Sequence, residues 1–96
     1  MPILRLEHPI RDFDLWKRAF DRDPVGRQAM GVRSHHIYRP VDDPGYVVVD
    51  LEFDSRPEAE RFRVALGELW SSTEAAPVLA GTPVTRIVDP IESRSY

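Results

Sequence analysis

The sequence predicts an α+β domain in which one four-stranded antiparallel sheet carries two helices on a single face, the ferredoxin-like β-α-β-β-α-β arrangement. Three observations lead there. The stretch Gly45 to Asp54 alternates, with Val47, Val49, Leu51 and Phe53 on one side and Tyr46, Val48, Asp50 and Glu52 on the other. A strand with one apolar and one half-charged face is central and packs on both sides, against different things. It is bounded by turn residues, Asp42-Asp43-Pro44-Gly45, and by a helix start at Ser55, with Pro57 and Glu58 in the positions of an N-capped first turn. The periodic stretches on either side then complete the order.

The first strand is Ile3 to His8, with Leu4, Leu6 and His8 on one face and Ile3, Arg5 and Glu7 on the other; Pro9 ends it by removing a ladder donor. Asp12 is the N-cap of a helix whose Phe13, Trp16 and Phe20 recur at i, i+3 and i+7, and Asp23-Pro24 stops it. Val25 to Met30 reads as one further turn closed by Gly31. The second strand, Val32 to Arg39, alternates weakly: Val32, Ser34, His36 and Tyr38 oppose Arg33, His35, Ile37 and Arg39. Neither face is clean, which suits an edge strand joined to the central one as a long-looped hairpin. From Pro57 the second helix shows Ala59, Phe62, Leu66 and Leu69 at helical spacing and ends near Trp70. Ser71 and Glu74 repeat the capping signature, which reads as a short extra helix through Ala76. Val84 to Val88 is the last strand. Residues 1–96 form one domain, with a polar tail from about residue 91 to residue 96.

In this arrangement Leu4, Leu6, Val47, Val49, Leu51 and Phe53 face the helices. The other sheet face carries Ile3, Arg5, Glu7, Tyr46, Val48, Asp50 and Glu52. It is too apolar to be bare and too charged for a monomer's core, and is suited to pairing with a second copy around a two-fold axis. The charges there read first as an interface network, because buried charges must be paired.

Composition narrows the function. The 96 residues are 42% hydrophobic and 30% charged, and the net charge of −3 disfavours nucleic acid and anionic membrane as partners. The absence of cysteine excludes disulfides, thiolate chemistry and cysteine-built zinc sites. The three histidines lack the spacing of a metal-binding helix, so neither metal nor cofactor is expected. No apolar run approaches the ~20 residues of a membrane span. Met1-Pro2-Ile3-Leu4-Arg5 is no signal peptide, and a cytoplasmic location is expected.

The run His8-Pro9-Ile10-Arg11-Asp12-Phe13-Asp14-Leu15-Trp16-Lys17-Arg18-Ala19-Phe20-Asp21 resembles the opening of small dimeric α/β-barrel proteins. Tyr38 to Gly45, and Phe53-Asp54-Ser55 leading to Glu58-Ala59-Glu60-Arg61-Phe62, look like that superfamily's hairpin and the start of its second helix. The resemblance spans roughly Ile3 to Val88. It implies a homodimer forming a shared barrel, and a superfamily that includes cofactor-independent antibiotic-biosynthesis monooxygenases, polyketide cyclases, haem-degrading enzymes and members without assigned activity. In the monooxygenase-like members the ligand occupies a cleft between sheet and helices, lined by an aromatic residue ending the third strand and a polar residue on the first. By that resemblance Phe53 and His8 fall at such places. The second helix carries no histidine to ligate haem iron, and no asparagine stands beside a tryptophan on these strands.

His8 is either a strand-end histidine hydrogen-bonded to the backbone or the candidate acid or base, since imidazole is the side chain that most easily serves both roles near neutral pH. Trp16, close to it, is a core aromatic or a wall of the substrate site, and Phe53, His36 and Tyr38 complete the candidate substrate-binding set. The adjacent His35 and His36 must point to opposite sheet faces, and the sequence leaves open which one meets the cleft. Two functions follow: a cofactor-free monooxygenase or cyclase acting on an aromatic, polyketide-like molecule, or a non-catalytic dimer that binds a small aromatic ligand or serves a structural role. An RNA-recognition module has the same element order, but Asp50 and Glu52 would repel phosphate and the first strand has no stacking aromatic. Met1-Pro2 also resembles the start of tautomerases that use an N-terminal proline, a likeness the following residues do not continue.

Overall fold

The central strand forms as its alternation demands, with a strand paired on each side of it. The computed structural model describes residues 1–72 and 80–96. In chain order the elements are β1 (Ile3–Pro9), α1 (Phe13–Asp21), β2 (Val32–Tyr38), β3 (Tyr46–Phe53), α2 (Arg56–Trp70) and β4 (Val84–Val88). The strands lie in the order β2-β3-β1-β4 with each neighbouring pair antiparallel, the ferredoxin-like arrangement. The proposed helix through Ala76 falls largely on residues 73–79, outside those described. Ser71 itself closes α2, its hydroxyl donating to the Gly67 carbonyl at 2.8 Å.

Local chemistry sets the helix ends. Asp12 caps α1 by accepting from the Asp14 N–H at 2.9 Å. Ser55 and Glu58 form a reciprocal pair at the start of α2: the Ser55 hydroxyl donates to Glu58 Oε1 at 2.9 Å and accepts from the Glu58 N–H at 3.4 Å. Between α1 and β2 the chain makes the expected further turn, closed at Gly31. There the Val32 N–H reaches Arg27 O and the Gly31 N–H reaches Gln28 O, the double closure of a helix-ending motif. Gly31 sits at φ 101°, and a Cβ added there would lie 2.5 Å from a Glu58 carboxylate oxygen. The positive φ favours glycine, and an added methyl would also have to displace the end of the Glu58 side chain.

Leu4, Leu6, Val47, Val49, Leu51 and Phe53 are fully or almost fully buried under the helices, joined by Ala59 and Phe62 from α2 and Trp16 from α1. The register pairs Leu4 with Leu51 and Leu6 with Val49, so the apolar faces of β1 and β3 coincide. On the opposite face Arg5 grips Asp50 through two parallel contacts, Nε to Oδ1 at 2.7 Å and Nη2 to Oδ2 at 2.8 Å, and the Tyr46 hydroxyl donates to Glu7 at 2.9 Å.

One strand departs from the sequence reading. Val32 pairs with Phe53, but a bulge follows, and Ser34, His36 and Tyr38 pair with Glu52, Asp50 and Val48. The extra residue reverses the face of everything after it. Val32 therefore faces the helices, while Ser34, His36 and Tyr38 face outward, and His35 and Ile37 take the helix side.

Candidate functional site

Between the sheet and the two helices lies a cleft of about 240 Å³. β1 contributes Leu6 and His8, α1 contributes Trp16 and Phe20, and α2 contributes Phe62, Leu66 and Trp70. The aromatic wall follows from helical periodicity: Trp16 and Phe20 are one turn apart on α1, as are Phe62 and Leu66 on α2, with Trp70 one turn further. Trp16 stacks on Phe20 with ring centroids 5.2 Å apart.

His8 is the polar group of this apolar space. Its even position on β1 sends it inward with Leu4 and Leu6, and only 1% of it is exposed. Its ring meets Trp16 at 6.1 Å and Trp70 at 6.2 Å. Nδ1 lies 3.0 Å from the Pro9 carbonyl, which can only accept, so Nδ1 carries the proton. Burial holds the His8 pKa below the ordinary histidine value, with the Pro9 hydrogen bond pulling weakly the other way. At neutral pH the ring is thus uncharged, and Nε2 keeps its lone pair. Among the described residues Nε2 has no hydrogen-bond partner. A neutral imidazole held in one tautomer beside flat aromatic walls can orient a hydroxylated ring and accept a proton from it.

The remaining candidates separate. Trp16 lines the cleft with His8. Phe53 does not: its ring is wholly buried against Phe62, with centroids 5.7 Å apart, and Phe62 is the phenylalanine at the cleft wall. His36 and Tyr38 stack on each other, centroids 6.4 Å apart, on the outer sheet face, where the bulge has turned them. His35 takes the inward side and meets Phe20 edge-on at 5.1 Å. Trp70, Phe20 and Arg27 belong to the lining although sequence reasoning did not single them out for it. The spacing of Trp70 from Phe62 and Leu66 was a usable signal; nothing in the sequence marked Arg27. Among the described residues no group of three or more histidine, aspartate or glutamate side chains is placed to hold a metal ion, and no helix is long and apolar enough to cross a membrane.

No protein-family model matches the chain, and no curated protein matches it. Solved structures do. A putative antibiotic biosynthesis monooxygenase from Nitrosomonas europaea superposes with a TM-score of 0.70 at 16% identity, covering 96% of this chain and 100% of that one. A dimeric ferredoxin-like protein from an uncultured marine organism gives 0.69 at 16% identity, covering 97% and 96%. A protein of unknown function from Nitrosomonas europaea gives 0.68 at 13% identity, covering 99% and 93%. At these identities the likeness is one of fold, and over nearly its whole length the chain has the ferredoxin-like fold shared by these monooxygenase-like and dimeric proteins.

Proposed function

We propose that this protein is a homodimer, paired through the open face of its sheet, that binds a small aromatic molecule in each cleft and uses His8 as a proton acceptor. The observation that carries the reading is the neutral, tautomerically fixed His8 at the wall of an aromatic cleft. The volume sets the ligand size. A dry cavity of about 150 Å³ accommodates benzene, so about 240 Å³ suits one or two fused rings. Similar folds named as antibiotic biosynthesis monooxygenases support a cofactor-independent oxygenation or a cyclisation of a polyketide-like ring. Both begin with loss of a proton from a phenol or an activated CH₂, for which Nε2 is the available base. In the oxygenation the CH₂ becomes a carbonyl, one atom of O₂ is retained and the other leaves as water with the two hydrogens.

The outer face suits self-association because much of its charge is already paired. Arg5 with Asp50 and Tyr46 with Glu7 are paired within the chain, and Ile3, Val48 and Val88 lie among them, so a second copy would cover apolar area while Glu52 and Arg86 take partners across the two-fold axis. Neighbours named as dimeric support it. Sedimentation at micromolar concentration should give twice the chain mass of 11.0 kDa; a stable single-chain species would refute the dimer.

The chain has two tryptophans, Trp16 and Trp70, and both line the cleft. In ¹⁵N–¹H spectra, 1-naphthol should move both indole signals; titration to solubility without moving either would remove the ligand reading. His8→Ala should then lower turnover of an anthrone- or quinol-type substrate by about 10²–10⁴-fold. A second reading, binding without turnover, is favoured by the lack of a carboxylate partner for His8 among the described lining residues. It predicts indole shifts with no oxygen uptake and no cyclised product.

A further inference from the structure

We infer that the ligand of this cleft carries an anionic group, a carboxylate attached to the aromatic ring system, and that Arg27 anchors it. The inference rests on the ligand-binding reading above and specifies the ligand class.

Arg27 stands at the wall common to two hollows: the aromatic cleft, and a polar one beside it bordered by Gln28, Ser34 and His35. Its side chain is only 18% exposed. Three contacts hold the guanidinium in place. Nη1 donates to the Phe20 carbonyl at 2.8 Å, the same nitrogen lies 3.5 Å from Asp23 Oδ1, and the group sits 3.8 Å over the Phe20 ring. Asp23 is itself committed, since Oδ1 accepts the Arg27 backbone N–H at 2.9 Å. The Nε–Nη2 edge has no partner among the described residues. That edge is the one with which Arg5 takes Asp50 in two parallel bonds on the other side of the sheet. A planar fork, partly desolvated, fixed against an aromatic ring and with its two-donor edge open, is the geometry that recognises carboxylate.

The surrounding charge agrees. The two hollows are bordered by three arginines and one aspartate, in a chain of net charge −3. Arg33 is engaged by Asp54 at 3.0 Å, which leaves Arg22 and Arg27 facing Asp23. His35 senses the same field: its pKa is held down first by burial and then by Arg27 and Lys17. A fused ring lying between Trp16 and Trp70 and reaching Phe20 would bring a ring substituent to Arg27, while His8 addresses the inner end.

The test compares 2-naphthoate with 2-naphthalenemethanol, which share a ring system and differ in charge, by the shifts of the two indole signals. Naphthoate should bind about tenfold or more tightly, and raising the salt concentration should weaken naphthoate alone. Arg27→Gln should abolish the preference for the acid over the alcohol, and Arg27→Lys should restore part of it as a point charge. If the alcohol binds as well as the acid, or Arg27→Gln keeps the preference, the carboxylate anchor is refuted and the aromatic cleft stands. If neither compound moves an indole signal, both readings fall. Should Arg27→Gln fail to fold by circular dichroism, the wild-type ratio and its salt dependence decide alone.

Discussion

Replacing Phe62 with alanine probes the contact on which core and cleft both depend. The ring is 2% exposed and packs on Phe53 at 5.7 Å, tilted by 55°. A buried phenylalanine removes about 200 Å² from water, and alanine retains roughly a third of that. At about 25 cal/mol per Å² the lost burial amounts to about 3 kcal/mol. The tilted ring pair adds about 1 kcal/mol. Large-to-small changes of this kind cost about 3–5 kcal/mol, and Phe62→Ala should fall in the lower half of that range, because the missing ring enlarges an existing cleft rather than leaving a sealed void. Urea titration at fixed protein concentration measures it, with the m-value checked for a change in the unfolded state. A loss below about 1 kcal/mol at unchanged m would mean that α2 does not present this face to β3. A double-mutant cycle with Phe53→Ala should return a coupling of about 0.5–1.5 kcal/mol.

Acid should destabilise the fold through His8. Its folded pKa lies below the unfolded value, so between the two the unfolded chain binds more protons, and stability present above about pH 6.5 is lost as pH falls through that window. The slope is at most about 1.4 kcal/mol per pH unit for this residue, and the shift in urea midpoint between pH 7 and pH 5.5 should shrink in His8→Gln. Gly31→Ala should cost about 1–3 kcal/mol, since it meets both a positive φ and the Glu58 carboxylate. Gly26→Ala, at φ 78° with nothing within 4 Å of the added methyl, should cost less, and equal melting temperatures for the two variants would refute the contribution of Glu58.

The parts of the molecule legible in sequence are those where a side chain's direction follows from counting. Leu4, Leu6 and His8, and Val47 through Phe53, keep strict alternation, so their inward face and the placement of His8 beneath α1 could be read directly. The capping pair Ser55 and Glu58 was equally plain. Counting fails at Arg33, where one unpaired residue inverts the rest of β2 without any glycine or proline to mark it. His36 and Tyr38 therefore stand away from the cleft for which they were candidates. Phe53 illustrates a different limit: its face was readable, but whether a ring borders a cavity or another ring depends on what α2 places beside it. Arg27 belongs to neither pattern, because a turn with no period brings it to the cleft.

The bulge in β2 also decides which of two adjacent histidines reports on which face of the sheet. His35 and His36 are joined by a single peptide bond, yet one ring touches Phe20 on the cleft side while the other lies over Tyr38 on the open side of the sheet. Their imidazole proton signals are therefore exposed to different events. A small molecule entering beside Phe20 perturbs the first, and a protein surface closing over the sheet perturbs the second. Following both in one dilution series and one ligand titration separates self-association from ligand capture without a label, each ring serving as the other's control.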